Sequence, residues 1–432
     1  MRWFVCTLLL GYAFAKHEEY DGSALFSVKV QNMDQVDYFN TLDYPFDIWQ
    51  YASLMRNGMV LVAKTYVQLF QNELNAKGIE FVIESENIKE LLELEDQLFA
   101  EKARSKSVRA VDDLTINWDK IYNLTEVNDY LQKVANAYPN VVTLVNAGKS
   151  VEGRDINYLK ISSTNFQDTS KPIIFIETLL HAREWVTLPA SLYAIDKLVV
   201  NVNDQDLIDN YDWIVLPVAN PDGYEFTHVP DGNRFWRKNR RAGVFPGNLC
   251  LGVDLNRNFD INFSQDSSNF ACSETYHGPS AFSELETSAI RDILHEYEGR
   301  IELFIDIHSF GSMILYGWGT GQLPSNAFEI HAAGLRMAEA IDAVKMEYNR
   351  NYRVGNSALI LYRASGSAMD YGLAANIPLS YVYELPGFRG VGQTIFGFLV
   401  HPDFIEQAGM ETWEGLKAGA NFVTRVRSGY QV

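Results

Sequence analysis

Short apolar runs that alternate with amphipathic stretches organise the chain from residue 141 onward. The apolar runs have the length of strands and appear in the order VVTLV, INYLKI, PIIFIE, WIVLPV, IELFIDI and LSYVYE. Stretches with apolar residues at helical spacing separate or follow them, the clearest at residues 284–297, 327–345 and 406–423. Continuous apolar strands separated by helices predict an α/β domain, with a mainly parallel mixed sheet that helices cover on both faces.

A smaller unit precedes this domain. Strands are predicted in it at residues 25–30, 59–64 and 79–84, with helices between them, which indicates a small α+β domain. The unit runs into a charged helical stretch at residues 86–109, whose basic end carries trypsin-like cleavage sites at Arg104, Lys106 and Arg109. This stretch is predicted to be a cleavable linker, with an ordinary exposed helix as the alternative.

The first residues have the layout of a secretory signal. MRWFVCTLLLGYAFAK combines a basic residue, a short apolar run and small residues at Ala13 and Ala15, which predicts cleavage after Ala15. A buried N-terminal helix is the alternative. We therefore expect a signal peptide at 1–15, a small domain with its linker at 16–109, a large domain at 110–432, and secretion of the protein.

Charge and hydropathy exclude two classes of partner. The 36 Lys and Arg residues stand against 55 Asp and Glu residues, a formal charge of -19, so a surface that neutralises phosphates is not expected and nucleic acid is an unlikely partner class. Beyond the signal, no stretch approaches the roughly 20 apolar residues that a membrane span requires. We expect that the protein binds neither nucleic acid nor membranes. We also expect a monomer.

Two cysteines remain once the signal is removed. Cys6 leaves with the signal, so Cys250 and Cys272 form an even pair in an oxidising compartment. A disulfide between them is the expectation, and two free buried thiols are the alternative.

A histidine followed three residues later by an acid is not specific in this chain. The spacing occurs three times, at His181/Glu184, His228/Asp231 and His295/Glu298. His295 falls on the polar side of an amphipathic helix, where a solvated face is the better interpretation. His228 falls in the polar loop THVPDGN. Position, not spacing, must identify a site.

His181 differs because it follows the apolar strand PIIFIE. Open α/β sheets bind ligands at the carboxyl ends of their strands, and His308 and Glu384 share that address after IELFIDI and LSYVY. One such residue would more often be a helix cap or a structural histidine, but three together favour a site. With Glu184, the two histidines form the set that holds zinc and leaves one position open. Zinc lowers the pKa of a water bound in that position, which makes hydroxide available as a nucleophile. A hydrolase then also needs a base, and Glu384 is the candidate.

At these residues the chain resembles the pancreatic-type zinc metallocarboxypeptidases, the carboxypeptidases A and B, which are made with an N-terminal activation domain. HAREW at 181–185 resembles the family's first zinc motif, and IHSF at 307–310 resembles its third-ligand motif. The resemblance covers essentially the whole chain after the signal. It implies one zinc ion per chain, held by His181, Glu184 and His308, with Glu384 as the catalytic base.

Further motifs extend the resemblance to substrate binding. RFWRKNR at 234–240 resembles the segment that supplies the oxyanion-stabilising arginine, here Arg237. GVDLNRNFD at 252–260 resembles the segment that grips a terminal carboxylate, which implies that role for Asn256 and Arg257, and it places Asp254 as the carboxylate that orients His181. Tyr362 matches the family's mobile tyrosine.

The resemblance also bears on the remaining site residues. Ser309 and Phe310 fall in the substrate-binding part of the third-ligand motif, where Phe310 replaces the commoner tyrosine. CSETYHGP at 272–279 carries the family's second half-cystine, which supports the pairing of Cys250 with Cys272.

Specificity is expected from the residue before Asp370. Basic-specific relatives place an aspartate there and apolar-specific ones a branched aliphatic, and this chain has Met369. The nearby matched positions are apolar or neutral: Ala364, Val382 and Ser357. A preference for aliphatic or aromatic C-terminal residues follows, because an unpaired ammonium beside a thioether would cost several kcal/mol. Two departures are noted, Leu179-Leu180 before HAREW and Ser367 where glycine is typical; Ser367 leaves the depth of the pocket open.

The resemblance thus implies a secreted zymogen that a trypsin-like protease activates and that then removes C-terminal residues from peptides or proteins. A non-catalytic peptide-binding relative is one rival, but the base, the ligands and the arginines that it would have lost are present. A zinc amidase of a related fold is the other, and it would not need the carboxylate grip of Asn256 and Arg257.

Overall fold

The computed structural model describes residues 16–105, 114–230, 232–243, 249–387 and 396–427. The predicted signal peptide and two of the predicted cleavage sites, Lys106 and Arg109, lie outside these ranges. None of the helices in the described ranges combines the length and apolar composition that crossing a bilayer requires.

The N-terminal part is a four-stranded antiparallel sheet with three helices. Its strands are β1 (Ala24–Lys29), β2 (Phe46–Gln50), β3 (Gly58–Val62) and β4 (Glu80–Ser85), in the order β2-β3-β1-β4. Its helices are α1 (Met33–Asn40), α2 (Val67–Ala76) and α3 (Ile88–Ser105). The helix α3 is the predicted linker helix, and Arg104 is exposed near its end. The predicted α+β domain is confirmed, although the sequence pattern did not reveal β2.

The C-terminal part is built on an eight-stranded mixed sheet. Its strands are β5 (Val142–Lys149), β6 (Asp155–Ile161), β7 (Ile173–Thr178), β8 (Asp212–Leu216), β9 (Ile301–Ser309), β10 (Met313–Tyr316), β11 (Arg353–Asn356) and β12 (Leu379–Leu385). They lie in the order β11-β10-β12-β9-β7-β8-β6-β5, with parallel pairs at the centre and at β10-β11. The predicted mainly parallel mixed sheet is confirmed. The short strands β10 and β11 were not predicted.

Helices cover both faces of this sheet, as expected. They are α4 (Leu124–Ala137), α5 (Leu188–Ile195), α6 (Asp206–Asn210), α7 (Pro221–His228), α8 (Leu285–Glu296), α9 (Ala327–Asp342), α10 (Ser357–Ile360), α11 (Ala368–Ala374) and α12 (Pro402–Arg427). Because successive side chains of a strand point to opposite faces, β7 supplies both cores. Ile174 and Ile176 pack in the core that includes residues of α4, α5, α9 and α12, whereas Ile173 and Phe175 pack in the core that includes residues of α8.

The two central strands β7 and β9 end at the same edge of the sheet, since they are parallel neighbours. A disulfide joins Cys250 to Cys272 beside this edge, with a Cα–Cα distance of 4.7 Å, as the sequence predicted. The edge and the loops around it form the candidate site.

Candidate metal centre and substrate cleft

The turn after β7 brings a histidine and a glutamate to the edge of the sheet. It begins at Leu179, which is buried with a left-handed backbone, φ 56°. Its amide donates to Thr187 Oγ1 over 3.3 Å, and its carbonyl accepts from the amide of Asn220 over 3.2 Å. These bonds hold a conformation that a leucine disfavours. The chain then turns so that His181 and Glu184 point to the end of β9.

Three buried side chains meet there. The ligand atoms of His181, Glu184 and His308 all lie within 4.8 Å of one another. His181 Nδ1 is 3.1 Å from Glu184 Oε1, and His308 Nδ1 is 3.0 Å from Glu184 Oε2. The backbone amide of Ser309 also donates to Glu184 Oε2 over 3.1 Å, which fixes the carboxylate.

Two carboxylates hold the outer nitrogens of the imidazoles. Asp254 Oδ1 is 2.9 Å from His181 Nε2, and Asp306 Oδ2 is 2.7 Å from His308 Nε2. A carboxylate accepts, so each Nε2 carries a proton, which leaves Nδ1 as the nitrogen that can bind a metal at the centre. The pairing of Asp254 with His181 is the one that the resemblance implied, whereas the role of Asp306 was not anticipated.

The donor set fits a zinc ion. Two imidazole nitrogens and a carboxylate oxygen are zinc ligands, and with bond lengths of about 2.0–2.2 Å in a tetrahedron they would lie roughly 3.4 Å apart. The Nδ1–Oε distances of 3.0 and 3.1 Å are close to that spacing. The buried carboxylate remains ionised: burial acts to raise the pKa of Glu184, but His181 and His308 outweigh it and lower that pKa.

Glu384 stands beside the ligands on the neighbouring strand. In the parallel pairing of β12 with β9 it is the register partner of His308. Burial raises the pKa of Glu384 to about 8, against the opposing influence of His308. A carboxyl group with a pKa in this range can take up and return a proton near neutral pH, as a general base requires.

Arg237 is anchored through Asp254. Its Nε and Nη2 donate to Asp254 Oδ2 over 3.2 and 2.8 Å. Although burial opposes it, the positive charge of Arg237 and the hydrogen bond with His181 hold the pKa of Asp254 well below its usual range. One carboxylate therefore orients both a metal-binding imidazole and the guanidinium that faces the cleft.

Asn256 and Arg257 lie on a short 3-10 turn below the cleft, and both are buried. Arg257 Nη2 donates to the Tyr362 hydroxyl over 2.9 Å. The amide of Asn256 is engaged inward: its Nδ2 donates to Asp306 Oδ2 over 3.3 Å, and its Oδ1 accepts from the amide of Ala368 over 2.8 Å. The predicted carboxylate-binding group is therefore assembled around Arg257 and Tyr362, with Asn256 tied to the metal-side network.

The expected specificity pocket is apolar. Met369 packs with three other buried side chains, Met313, Leu315 and Val382. Ser367 does not reach freely into this space, because its hydroxyl accepts from the amide of Asp370 over 3.2 Å and caps α11. The Ser367 hydroxyl, which left the depth of the pocket open in the sequence, is thus hydrogen-bonded to the start of α11.

Phe310 and Ser309 occupy the rim. Phe310 packs edge-on against Phe398 with a centroid distance of 5.1 Å. Ser309 presents a buried hydroxyl that has no partner among the described residues, while its amide holds Glu184. Both line the cleft that contains Glu384 and Met369.

Residues of the N-terminal domain cover the cleft. A space of about 1150 Å³, part of it open to solvent, is lined by residues of both domains. The ring of Tyr51 packs on that of Tyr362 at 3.9 Å between centroids. The Arg56 guanidinium comes within 3.8 Å of the Sδ of Met313, one of the side chains that pack with Met369. The N-terminal domain therefore contacts both the predicted carboxylate-binding side chains and the predicted specificity pocket.

Two ion pairs join the domains, one partly buried and one fully buried. Arg183 Nη1 donates to both carboxylate oxygens of Asp47, over 2.9 and 2.7 Å. Arg234 donates through Nε and Nη2 to Glu95 on α3, over 3.1 and 3.2 Å. Sequence analysis missed both pairs. Arg183 stands inside HAREW and offered a signal, but its partner lies on the strand β2 that the pattern did not reveal.

Comparison with known proteins places these features in context. Residues 127–415 match the family model described as "Zinc carboxypeptidase", and residues 26–95 match "Carboxypeptidase activation peptide". "Carboxypeptidase B" of Helicoverpa zea is 42% identical over 426 residues, 97% of this chain and 98% of the relative. "Carboxypeptidase A1" of Bos taurus is 31% identical over 424 residues, 95% and 96% of the two chains.

Solved structures give the same match. The crystal structure of the carboxypeptidase A from Helicoverpa armigera is 54% identical, with a TM-score of 0.91, over 95% of this chain and 100% of that one. Thrombin activatable fibrinolysis inhibitor is 25% identical, with a TM-score of 0.78, over 94% and 100%. Both likenesses extend across the two domains.

Proposed function

The chain belongs to the zinc carboxypeptidase family and carries the family's activation peptide, and from this premise we propose that it is a secreted zymogen. After removal of the N-terminal domain it hydrolyses the C-terminal peptide bond, preferring aliphatic or aromatic terminal residues. It holds one zinc ion through His181, Glu184 and His308. The observation that carries the proposal is the meeting of these three side chains beside Glu384.

The bound zinc would polarise the scissile carbonyl and acidify the attacking water. Glu384 accepts the proton of that water and returns it to the leaving amine, a role that its pKa of about 8 supports, since the group exchanges protons close to neutral pH. Arg237 donates hydrogen bonds to the oxygen that gains negative charge. Its guanidinium is already oriented by Asp254.

Restriction to the last peptide bond follows from the carboxylate grip. Arg257, helped by Tyr362 and Asn256, binds the terminal carboxylate, because the guanidinium fork matches two carboxylate oxygens with parallel hydrogen bonds. Tyr362 already contacts Arg257. A substrate without a free carboxylate leaves Arg257 unpaired and is a poor substrate.

The names of the relatives do not decide the preferred terminal residue, since one of them is named carboxypeptidase B and a similar structure carboxypeptidase A. The preference is supported by the apolar packing of Met369 against Met313, Leu315 and Val382. A lysine or arginine side chain would bury an ammonium or guanidinium there without a counter-charge, at a cost of several kcal/mol.

Before activation the N-terminal domain inhibits the site, and a trypsin-like protease releases it by cutting at Arg104, Lys106 or Arg109, at the basic end of α3 or just beyond it. The stack of Tyr51 on Tyr362 supports this, because it covers the carboxylate-binding side chains. The activated enzyme is expected to act as a monomer on the C-termini of peptides and proteins.

A substrate panel tests the specificity. Blocked dipeptides that end in phenylalanine, leucine, lysine or glutamate are compared after trypsin treatment, for the parent chain, Met369→Asp and the size-matched control Met369→Leu. The parent and Met369→Leu should favour phenylalanine and leucine, and Met369→Asp should gain activity towards lysine. A parent that prefers lysine, or an aspartate variant that gains nothing on lysine, contradicts the proposed preference.

A further inference from the structure

Asp306 lies two residues before His308 on β9, so both side chains leave the strand on the same face. The distance from Asp306 Oδ2 to His308 Nε2 is 2.7 Å, and both residues are buried, Asp306 completely. The sequence placed this aspartate within an apolar strand, where a carboxylate has a high desolvation cost. A specific interaction must offset that cost.

The arrangement repeats the one on the other metal-binding imidazole. Asp254 contacts Nε2 of His181 as Asp306 contacts Nε2 of His308. In both cases the second ring nitrogen, Nδ1, faces Glu184. Each imidazole is therefore held in the same tautomer by its own carboxylate.

The two carboxylates differ in their other partners. Asp254 is ion-paired with Arg237, and its Oδ1 also accepts from the amide of Asn256. No lysine or arginine in the described ranges forms an ion pair with Asp306. Besides His308, its Oδ2 accepts only a longer hydrogen bond, of 3.3 Å, from the side-chain Nδ2 of Asn256. Asp306 Oδ1 is buried without a partner among the residues described.

A second buried acid stands next to Asp306. Glu177 on β7 is its register partner, is completely buried, and has no hydrogen-bond partner for either carboxylate oxygen within the described part of the chain. Burial, reinforced by Asp306, raises the pKa of Glu177 well above its usual range. Within the described residues, the Asp306 carboxylate is therefore engaged only through Oδ2, by His308 and by Nδ2 of Asn256.

We propose that Asp306 is a second positioning residue of the metal centre, which fixes the His308 ring with Nδ1 towards the ion. This rests on the proposed zinc site. The geometry that carries it is the buried contact of 2.7 Å between Asp306 Oδ2 and His308 Nε2, which repeats the contact of Asp254 with His181. Loss of Asp306 should weaken metal binding, because the imidazole would no longer be held in the orientation and tautomer of a ligand.

The test measures zinc affinity of the full chain by competition with a chromogenic chelator. Asp306→Asn replaces the carboxylate by an amide of the same shape, and an outer partner of this kind is worth about 10- to 100-fold in metal affinity. The matched control is Glu411→Gln, the same replacement at another buried acid, on α12, which accepts hydrogen bonds from Gln407 and the amide of Met346. We expect the first variant to bind zinc about 10- to 100-fold more weakly and the second to bind it like the parent chain.

A second pair of measurements distinguishes a positioning role from a purely structural one. The thermal midpoint is measured with and without saturating zinc, and the visible spectrum is recorded with cobalt in place of zinc. We expect Asp306→Asn to show a smaller zinc-induced rise in the midpoint and an altered cobalt spectrum, because the ligand basicity of His308 falls. A residue that only supports the fold would lower both midpoints equally and leave the spectrum unchanged.

Asp306→Ser, whose smaller side chain fits the same space, gives the same readings should the amide variant fail to fold. His308→Ala separates this inference from the proposed function. If His308→Ala keeps tight zinc binding, the ligand assignment itself is wrong. If His308→Ala loses zinc while the Asp306 variants bind it like the parent chain with the parent's cobalt spectrum, the positioning role alone is overturned.

Discussion

The two domains bring polar side chains to the cleft in different ways. In the large domain they sit at the ends of buried strands or in adjoining turns and are held by partners within that domain, as His181 is by Asp254. The small domain sends side chains outward from β2 and α3, and the partners of Asp47 and Glu95 belong to the large domain. The proposed catalytic groups are therefore held by partners within the large domain, and we expect that removal of the small domain uncovers them.

The apolar packing between the domains also depends on side chains that the small domain presents to the large one. An apolar cluster joins Trp49 and Leu92 of the small domain to Phe235 and Phe398 of the large one. Both domains have an excess of acidic residues, so net charge does not draw them together. Buried apolar contact and two local ion pairs hold the small domain in place.

The largest expected effect lies wholly in the large domain. Glu384→Gln should keep the fold and its zinc but lose about 100- to 10,000-fold in turnover after activation, because an amide cannot transfer the proton. Glu274→Gln is the control, since Glu274 is another acid lining the same cleft and has no assigned part in proton transfer. Turnover is measured with a blocked dipeptide ending in phenylalanine. Near-parent turnover in Glu384→Gln would assign the base to another residue.

The next effect should appear at the contact between the domains. Glu95→Gln leaves Arg234 buried opposite a neutral partner, and breaking a buried pair in this way costs about 3–5 kcal/mol. The activity of the uncut chain should rise by at least about tenfold if half of that cost falls on domain docking. Asp47→Asn, which weakens the pair with Arg183, should act in the same direction.

Lys102→Met is the matched control for these two variants. It breaks the more exposed pair between Lys102 and Asp403, and exposed pairs contribute about 0–1 kcal/mol. Its uncut activity should match that of the parent chain. Equal activity of the uncut Glu95→Gln chain and the uncut parent would show that docking does not depend on the buried pair.

A smaller effect concerns a histidine behind the junction of the domains. His228 stacks on Trp185 at 4.2 Å between centroids, and the Arg234 guanidinium lies 3.6 Å from the same ring. Burial, reinforced by Arg234 and Lys16, lowers the pKa of His228 to about 3. The folded protein keeps this histidine neutral, whereas the unfolded chain binds a proton below about pH 6.5.

The free energy of unfolding therefore decreases as the pH falls. The contribution of neutral His228 is fully present above about pH 6.5 and declines as the pH falls towards 3, by up to about 2 kcal/mol at pH 5. His228→Phe keeps the stack and removes the titration, so its free energy of unfolding should fall less between pH 8 and pH 5 than that of the parent. Denaturant unfolding at the two pH values measures this. An identical decline in both proteins would contradict the assignment.

Sequence patterns predicted the large sheet because its central strands are long and apolar, with the polar residues displaced to their ends. The strands β2, β10 and β11 were missed for the opposite reason: they have only four or five residues, and β2 and β11 are edge strands in which polar and apolar residues mix. The proposed ligands could be placed because His308 lies at the end of such a central strand, β9, and His181 just after another, β7.

Other parts of the site could not be predicted, because they depend on contacts distant in the chain. Asp306 appeared as one acid inside an apolar run, and only the folded structure brings its carboxylate to His308. Asp47 and Glu95 appeared as ordinary surface acids of a charged domain. Their partners, 136 and 139 residues away, are fixed by domain docking, which the pattern of neither domain describes.

The measurement that tests the central claim most directly follows one peptide by mass spectrometry. A peptide ending in leucine is incubated, with a free or an amidated C-terminus, with the uncut chain, the trypsin-treated and repurified chain, and the latter after zinc removal by a chelator. We predict stepwise loss of single C-terminal residues only from the free-acid peptide and only with the treated, zinc-loaded enzyme. Internal cleavage, equal attack on the amide, or equal rates before and after trypsin would contradict the account.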